Sequence, residues 1–385
     1  MTTCHKIIAY PVGNGDTCQI ILENGRRILL DYRHQQCGEA DDNPHLDLKK
    51  HLQDELRAAK RDYFDVVAFT HADDDHICGS TDFFHLDFSQ KYQGPGRIKI
   101  ETLWVPAAMV VETARNDQQS HEFVVLRDEA RHRLLKGEGI RVFSKPPSLT
   151  EWLEPALERM GLPKNARDHL FVDAGTLAPG FNLAQDKVEF FTHSPFIEHC
   201  GDGFDVVRND ASLIFNIRFE AEGRHYSYMA IGDSKWDVLE QIVEITKFHG
   251  RGDRLDWDLY NIPHHCSYLA LSDEKGEKET EPEAGVKELL LHGRPGAYMI
   301  CSSKPIVDIR SSYEQIQPPH IQAHKAYVRY LDKVGGRKVL VTMETPNATR
   351  PEQLIFHVTS GGITYQRSDK LGATAIVSSA APRVG

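Results

Sequence analysis

The chain reads as an α/β protein, a four-layer αββα sandwich with two mixed sheets inside and helices outside. Three observations predict it. Short apolar runs bounded by turn residues recur along the chain, separated by longer stretches with apolar residues at helical spacing. The order strands, helix, then strands with helices occurs twice over, which suits two sheets packed face to face. A length of 385 residues, 40% hydrophobic and 26% charged, fits one large globular domain, here drawn over residues 1–372.

The elements follow in order. Residues 6–10 and 17–22 read as strands joined by the Gly13-Asn-Gly-Asp16 turn, and Asn24-Gly25 is a hairpin signal leading into a strand at 27–30. Residues 46–60 carry Leu46, Leu48, Leu52 and Leu56 among charges, an amphipathic helix. Residues 64–69 and 98–105 read as buried strands. Helices are expected at 115–138 and 148–161, the second with Ser148 or Thr150 as N-cap. The segment from about 111 to 165 holds no chemical motif and reads as a helical insertion. Strands at 188–191, 211–219 and 226–231, a helix at 235–248, and strands at 259–262 and 297–301 come next. Residues 273–283 are mostly charged with no apolar anchor, an exposed mobile loop. A helix at 322–334, closed by Gly335-Gly336, precedes strands at 338–343 and 354–358, and residues 373–385 read as a flexible tail.

Composition excludes several classes. With 45 Lys+Arg against 56 Asp+Glu the formal charge is −11, which disfavours coating nucleic acid by charge alone. It leaves room for phosphodiester chemistry, because bound metals supply local positive charge. No apolar run is long enough to span a bilayer and no basic segment leads into a long apolar core, so no membrane and a cytoplasmic location are expected. The seven cysteines are odd in number, widely spaced and free of CxxC, which fits a reducing compartment. The twenty histidines, several beside aspartates, are the unusual feature.

The densest chemistry is Thr70-His71-Ala-Asp73-Asp74-Asp75-His76, directly after the strand at 64–69. Placing so many polar groups at a buried strand end is costly unless something binds them, and His with carboxylate is a common metal-ligand set. In an extended segment His71 and Asp73 point the same way, and Asp75 and His76, after the turn, face a second ion. The plain alternative is a solvated acidic loop with two incidental histidines. Position argues against it, since the cluster follows a strand with no apolar gap.

His71-x-Asp73-x-Asp75-His76 resembles the HxHxDH signature of the metallo-β-lactamase superfamily, in an HxDxDH form. Further elements are similar, in family order, to those of its ComEC-like metallohydrolase branch: Val12-Gly-Asn-Gly-Asp16, Leu29-Leu-Asp31, Asn209-Asp-Ala-Ser212, Gly232-Asp233, Pro263-His-His-Cys-Ser267, Cys301-Ser-Ser303 and Pro319-His320. The resemblance implies a metallo-β-lactamase-like sandwich holding two divalent metal ions, Zn2+ or Mn2+, and a bridging hydroxide. It implies Asp233 as a carboxylate bridging two metals and His265 as a late ligand, while His264 either touches substrate or donates a proton. Asp31 is expected to support the ligand loop. Asp233 also fits a plain helix N-cap.

Three departures stand out. Asp73 replaces a histidine, which makes the set richer in oxygen and brings Mn2+ into competition with Zn2+. The superfamily's middle histidine ligand has no clear counterpart; His193 is the best candidate, and an ordinary strand-end histidine is the equal alternative. Cys78 and Cys266 stand where the pattern has glycine. Among softer candidates, Arg33 and His34 follow Asp31 and suit the rim, Lys304 either pairs with a phosphate oxygen or is a surface lysine, and His320 opens a helix where anions are favoured.

The expected activity is a metal-dependent hydrolase, a phosphodiesterase or nuclease, with Asp75, His264 and His320 as candidate catalytic residues and nucleic acid or another phosphodiester as substrate. Arg115, Arg127, Arg131, Arg133 and Lys136 are a candidate basic channel, or else a solvated helical face. A small-molecule phosphodiester or ester hydrolase is the alternative. An inactive metal-binding scaffold acting through a partner protein, as in a multi-component system, is a third reading.

Overall fold

A computed structural model describes residues 4–40, 42–113, 119–201 and 206–366. The elements are β1 (His5–Ala9), β2 (Cys18–Ile21), β3 (Arg27–Leu30), α1 (Leu48–Ala58), β4 (Tyr63–Ala68), α2 (Asp74–Ile77), α3 (Ser80–Phe83), β5 (Lys99–Pro106), α4 (Ala107–Val111), α5 (His121–Lys136), β6 (Ile140–Phe143), α6 (Pro147–Arg159) and β7 (Phe171–Val172). The second half has α7 (Leu183–Asp186), β8 (Val188–Ser194), β9 (Ile214–Ala221), β10 (Arg224–Ile231), α8 (Trp236–Phe248), β11 (Trp257–Asn261), α9 (Ala284–Leu291), β12 (Gly293–Cys301), α10 (Ile321–Lys333), β13 (Lys338–Val341), β14 (Leu354–Thr359) and β15 (Gly362–Gln366).

Two mixed sheets result. The first runs β15-β14-β1-β2-β3-β4-β5-β6-β7 and the second β13-β12-β11-β10-β9-β8. Pairs up to β2–β3 are antiparallel and those from β3 to β7 are parallel, with Ile28 opposite Val66 and Leu30 opposite Ala68. In the second sheet β8–β9–β10 are antiparallel and β10–β11–β12–β13 parallel.

Side-chain alternation sorts the apolar residues into three cores, which defines the four layers. Ile28, Leu30, Val66 and Ala68 face Phe215, Tyr228, Leu259 and Ile300 between the sheets. Leu29, Val67 and Phe69 point outward onto α1, α5 and α6, met by Leu52, Leu126 and Leu153. Met229 and Ile231 point to the other outer side, under Ile242 of α8, Leu289 of α9 and Tyr327 of α10. Each aliphatic side chain so buried contributes about 2 kcal/mol, which holds the strand ends of both sheets in place.

Four expectations are corrected. The segment at 111–165 is not wholly helical: β6 lies in it and pairs in parallel with β5, so the segment extends the first sheet. Its four residues are too short a run to declare themselves between Gly139 and Ser144. Helix α6 starts on Pro147 with Pro146 as N-cap, ahead of Ser148 and Thr150, because proline at the first helical position needs no amide partner. The charged loop at 273–283 is anchored: Thr280 is fully buried, its N–H bonds to Gln322 O, and Arg329 pairs with Glu279 and Glu281. Helix α9 follows this loop unforeseen, because the charged run obscures its start. The tail at 373–385 and Arg115 lie outside the described residues.

Candidate metal centre

The loops after the parallel strands β3, β4, β10, β11 and β12 bring Asp31, His71–His76, Asp233, His264–His265 and Ser302 together, at the carboxyl ends where open α/β sheets place ligands. Gly232 allows the second sheet to approach the first: a Cβ there would lie 3.0 Å from the Thr70 side chain.

Asp31 sits in the left-handed region at φ 56° and is buried. Its carboxylate accepts from Thr70 N at 2.6 Å and Thr70 Oγ1 at 2.7 Å, and lies 2.7 Å from His76 Nδ1. That contact fixes the proton on Nδ1 and leaves His76 Nε2 to face Asp233 Oδ1 at 3.2 Å, without a hydrogen bond. His265 is oriented in the same way, with Nδ1 2.9 Å from Ser302 O and Nε2 3.1 Å from Asp75 Oδ2 and 3.4 Å from Asp233 Oδ2. His71 Nε2 lies 3.6 Å from Asp73 Oδ2 and 4.0 Å from Asp233 Oδ2. His264, His265 and Cys266 all have positive φ, at 51°, 51° and 67°. Three consecutive non-glycine residues in that region carry strain of order 1 kcal/mol each, a cost found where a site demands an unusual backbone.

Among the described residues two overlapping groups offer ligand atoms within 4.8 Å of one another: Asp16, His76, Asp233 and His265, and His71, Asp75, His76 and Asp233. The fit to a divalent cation rests on buried polar atoms with no partner: His71 Nε2, His76 Nε2 and Asp233 Oδ1 converge without hydrogen bonds. Orphaned polar atoms are costly in a protein interior, and a cation would satisfy all of them. Each group offers two nitrogens and two carboxylates, a set suited to Zn2+ or Mn2+. One imidazole nitrogen binds one ion, so His76 serves one group, whereas the two oxygens of Asp233 are able to serve both.

The charges respond to this crowding. Burial alone would lower the His76 and His265 imidazoles, but the charge of Asp233 outweighs it, so both stand well above the ordinary value. Burial alone would raise Asp233, and His265 and His76 pull it well below the usual carboxylate range. Burial raises Asp16 to about 6, against the opposing charges of His265 and His76. Burial lowers His264, against Asp233, whose Oδ2 is 3.9 Å from Nε2.

Asp31, His71, Asp75, His76, Asp233, His264 and His265 are thus gathered. Asp73 stands at the edge, its Oδ1 2.9 Å from Arg208 Nη1, and it belongs to neither group. Arg208 also clasps Glu112 and donates to Ala72 O at 3.0 Å, so it latches the ligand loop.

Three expected site residues are elsewhere engaged. His193 lies within β8 against α8, its Nε2 3.0 Å from Arg254 O and its Nδ1 3.3 Å from Thr246 Oγ1, and burial lowers it to about 4; it belongs to neither candidate metal group. The Nδ1 of His320 accepts from Tyr268 N at 3.3 Å, so its Nε2–H donates to Ile316 O at 3.1 Å, and both ring nitrogens are engaged by backbone groups. His34 packs under α1, with Nε2 3.0 Å from Glu39 Oε1 and Nδ1 accepting from Lys49 N. Lys304 is exposed, its backbone N–H held by Asn14 Oδ1 at 2.8 Å. The candidate basic channel does not form among the described residues: Arg127, Arg131 and Arg133 donate to backbone carbonyls, and Lys136 pairs with Glu138. Asp16 was missed as a site residue, although its turn was visible; what hid it is that β1 and β2 must pair before it points at His76 and His265. Arg208 carries no local signal at all.

Fold and site together define a four-layer α/β sandwich with a buried His/Asp cluster suited to divalent cations. Among solved structures the chain is similar to a new diphosphatase from the PhnP family, with 10% identity over 92% of this chain and 97% of that one and a TM-score of 0.32. It is similar to the metallo-β-lactamase GOB-18 from Elizabethkingia meningoseptica, with 12% identity over 84% and 87% and a TM-score of 0.30. A long form RNase Z from yeast matches at 12% identity over 86% of this chain and 44% of that one, with a TM-score of 0.29. No family model matches the chain, and comparison with curated proteins finds no match. Among the described residues no helix is long and apolar enough to cross a membrane.

Proposed function

We propose that the protein is a metal-dependent hydrolase that cleaves phosphodiesters, nucleic acid being the first substrate class. The observation that carries this reading is the convergence of His71 Nε2, His76 Nε2 and Asp233 Oδ1, buried and without hydrogen bonds, at the ends of both sheets. Divalent ions, Zn2+ or Mn2+, would supply Lewis acidity there, lowering the pKa of a water and neutralising charge that develops at phosphorus. The chain's residues do the rest. Asp16, His71, Asp75, His76, Asp233 and His265 would hold the ions. Asp31 and Ser302 O fix the tautomers of His76 and His265, so that each presents a lone pair inward. His264 is partly exposed beside Asp233, and its buried Nδ1 makes no hydrogen bond, so the ring is free to take part in proton transfer at a leaving oxygen.

The test is metal content by mass spectrometry of the purified protein, followed by hydrolysis of bis-(p-nitrophenyl) phosphate, supercoiled DNA and linear DNA with Mn2+ or Zn2+. Asp233→Ala and His265→Ala should lose bound metal and at least about a hundredfold of activity. His264→Ala should keep the metal and lose kcat. A protein that binds no divalent ion sinks the reading. Cleavage of the small diester without DNA would move the substrate class to small phosphodiesters.

A further inference from the structure

The mouth of the site carries two cations that make no ion pair among the described residues, although the charges of Asp75 and Asp16 reach Arg33. Arg33 follows Asp31 and lies across the Gly13-Asn-Gly15 turn. A Cβ on Gly15 would stand 2.6 Å from Arg33 Nη1 and 2.6 Å from the Asp75 carbonyl oxygen, so the guanidinium rests on the turn that seals the metal loop. Only glycine permits that approach. The Arg33 side chain is partly buried, and among the described residues its one side-chain hydrogen bond is to Val12 O at 3.3 Å. It makes no ion pair among the described residues, although most other half-buried arginines here do, as Arg208 and Arg254 show. Lys304 comes to the same turn from the end of β12: Asn14 Oδ1 accepts its backbone N–H at 2.8 Å, and Asn14 Nδ2 donates to Pro318 O at 2.7 Å. His45 closes the third side: a Cβ on Gly13 would stand 2.8 Å from His45 Nε2 and 3.6 Å from Arg33 Nη1, and the charges of Arg33 and Lys304 help burial to lower the His45 imidazole.

Asp75 and Asp16, the carboxylates whose charge acts on Arg33, are among those that would hold the ions, so a half-buried guanidinium beside the loaded site favours an anion from outside. The metals would take the scissile phosphate, so these cations lie one step outward. We propose that Arg33 and Lys304, mounted on the Gly13–Gly15 turn, bind a second phosphate of the substrate beside the one that is cleaved. This rests on the phosphodiesterase reading and narrows it: preferred substrates carry at least two phosphates, as oligonucleotides and nucleoside diphosphate esters do. Two point contacts also reconcile nucleic-acid binding with a chain of net charge −11, because the positive field needed is local.

The experiment uses the full-length, metal-loaded protein and its Arg33→Ala, Arg33→Lys and Lys304→Ala variants, with metal content measured first and expected to be unchanged. Binding of a fluorescently labelled ten-nucleotide single strand is followed by anisotropy across a salt series. Each alanine variant should weaken binding about tenfold and lower the slope against log salt by about one contact's worth, and Arg33→Lys should recover part of both. In hydrolysis, KM for the dinucleotide pTpT should rise about tenfold at similar kcat, with bis-(p-nitrophenyl) phosphate nearly unaffected. A dinucleoside diphosphate in place of pTpT separates nucleic acid from a small diphosphate ester as the source of the second phosphate. Unchanged strand binding and salt slope in both alanine variants, or equal losses on the one-phosphate and two-phosphate substrates, overturns the inference. If the metal-loaded protein hydrolyses nothing, the hydrolase reading fails, and the anisotropy series still decides whether Arg33 and Lys304 bind phosphate.

Discussion

Replacing Asp31 by asparagine isolates the role of a single proton. The Asp31 carboxylate accepts from Thr70 N and Thr70 Oγ1 and contacts His76 Nδ1, all at 2.6–2.7 Å. Asparagine is nearly isosteric and is among the residues best tolerated at a φ of 56°, so the backbone turn should survive. What changes is the partner offered to His76. An amide keeps one acceptor oxygen, and the Thr70 amide claims it, so an NH2 faces Nδ1. His76 then moves its proton to Nε2, the atom that faces Asp233, and loses the lone pair it would give a metal. Partners that orient a metal-ligating histidine are worth about 10–100-fold in metal affinity, or about 1.4–2.7 kcal/mol. Competition of wild type and Asp31→Asn against a chromogenic chelator measures this directly, with thermal unfolding of the chelated proteins as the control. The expected result is a metal Kd raised by that factor and a chelated Tm close to wild type. A Kd within twofold of wild type would show that Asp31 does not set the His76 tautomer.

Asp16→Asn should change sign with metal. In chelated protein a carboxyl raised to about 6, from an unfolded value near 3.9, binds its proton more tightly when folded, so it costs stability progressively as pH rises through that window. The asparagine variant should therefore be more stable than wild type by up to about 3 kcal/mol at pH 7.5 with chelator, and bind metal less tightly without it; equal urea midpoints in chelator would refute this. His193→Ala should cost about 2 kcal/mol in urea unfolding through its two lost contacts and leave metal content unchanged, so a drop in metal would restore it as a ligand. Arg329→Ala should free residues 273–283 for limited proteolysis while lowering the unfolding free energy by less than about 1 kcal/mol, since the ion pairs it loses are partly solvated; an unchanged digestion rate would show that the buried Thr280 alone anchors the loop.

How much was legible follows from where each signal lives. Strands such as 27–30 and 64–69 declared themselves because their apolar runs are local, and the αββα layering followed from their order. His71, Asp75 and His76 were readable because they lie within one loop. Asp16, Arg208 and Ser302 enter the site through pairing of distant segments, which no window of sequence contains. His193 and His320 misled for the converse reason: each has the right residue type at a strand or helix end, but backbone carbonyls and amides reach their rings first. Strand β6 was hidden by its length, and the charged loop was read by composition alone, which cannot reveal a buried Thr280.

The loops that build the centre come from both sheets: Asp16, Asp31, His71, Asp75 and His76 from the first, Asp233, His264 and His265 from the second. Between them the two halves meet through a largely apolar interface, whose contacts tolerate small sliding better than directional bonds do. Ions gripped from both sides would act as a rivet at one end of the sandwich. The metal would then be a mechanical part as well as a chemical one, and its loss would show first as rising amide exchange where the sheets splay, well before either hydrophobic core melts.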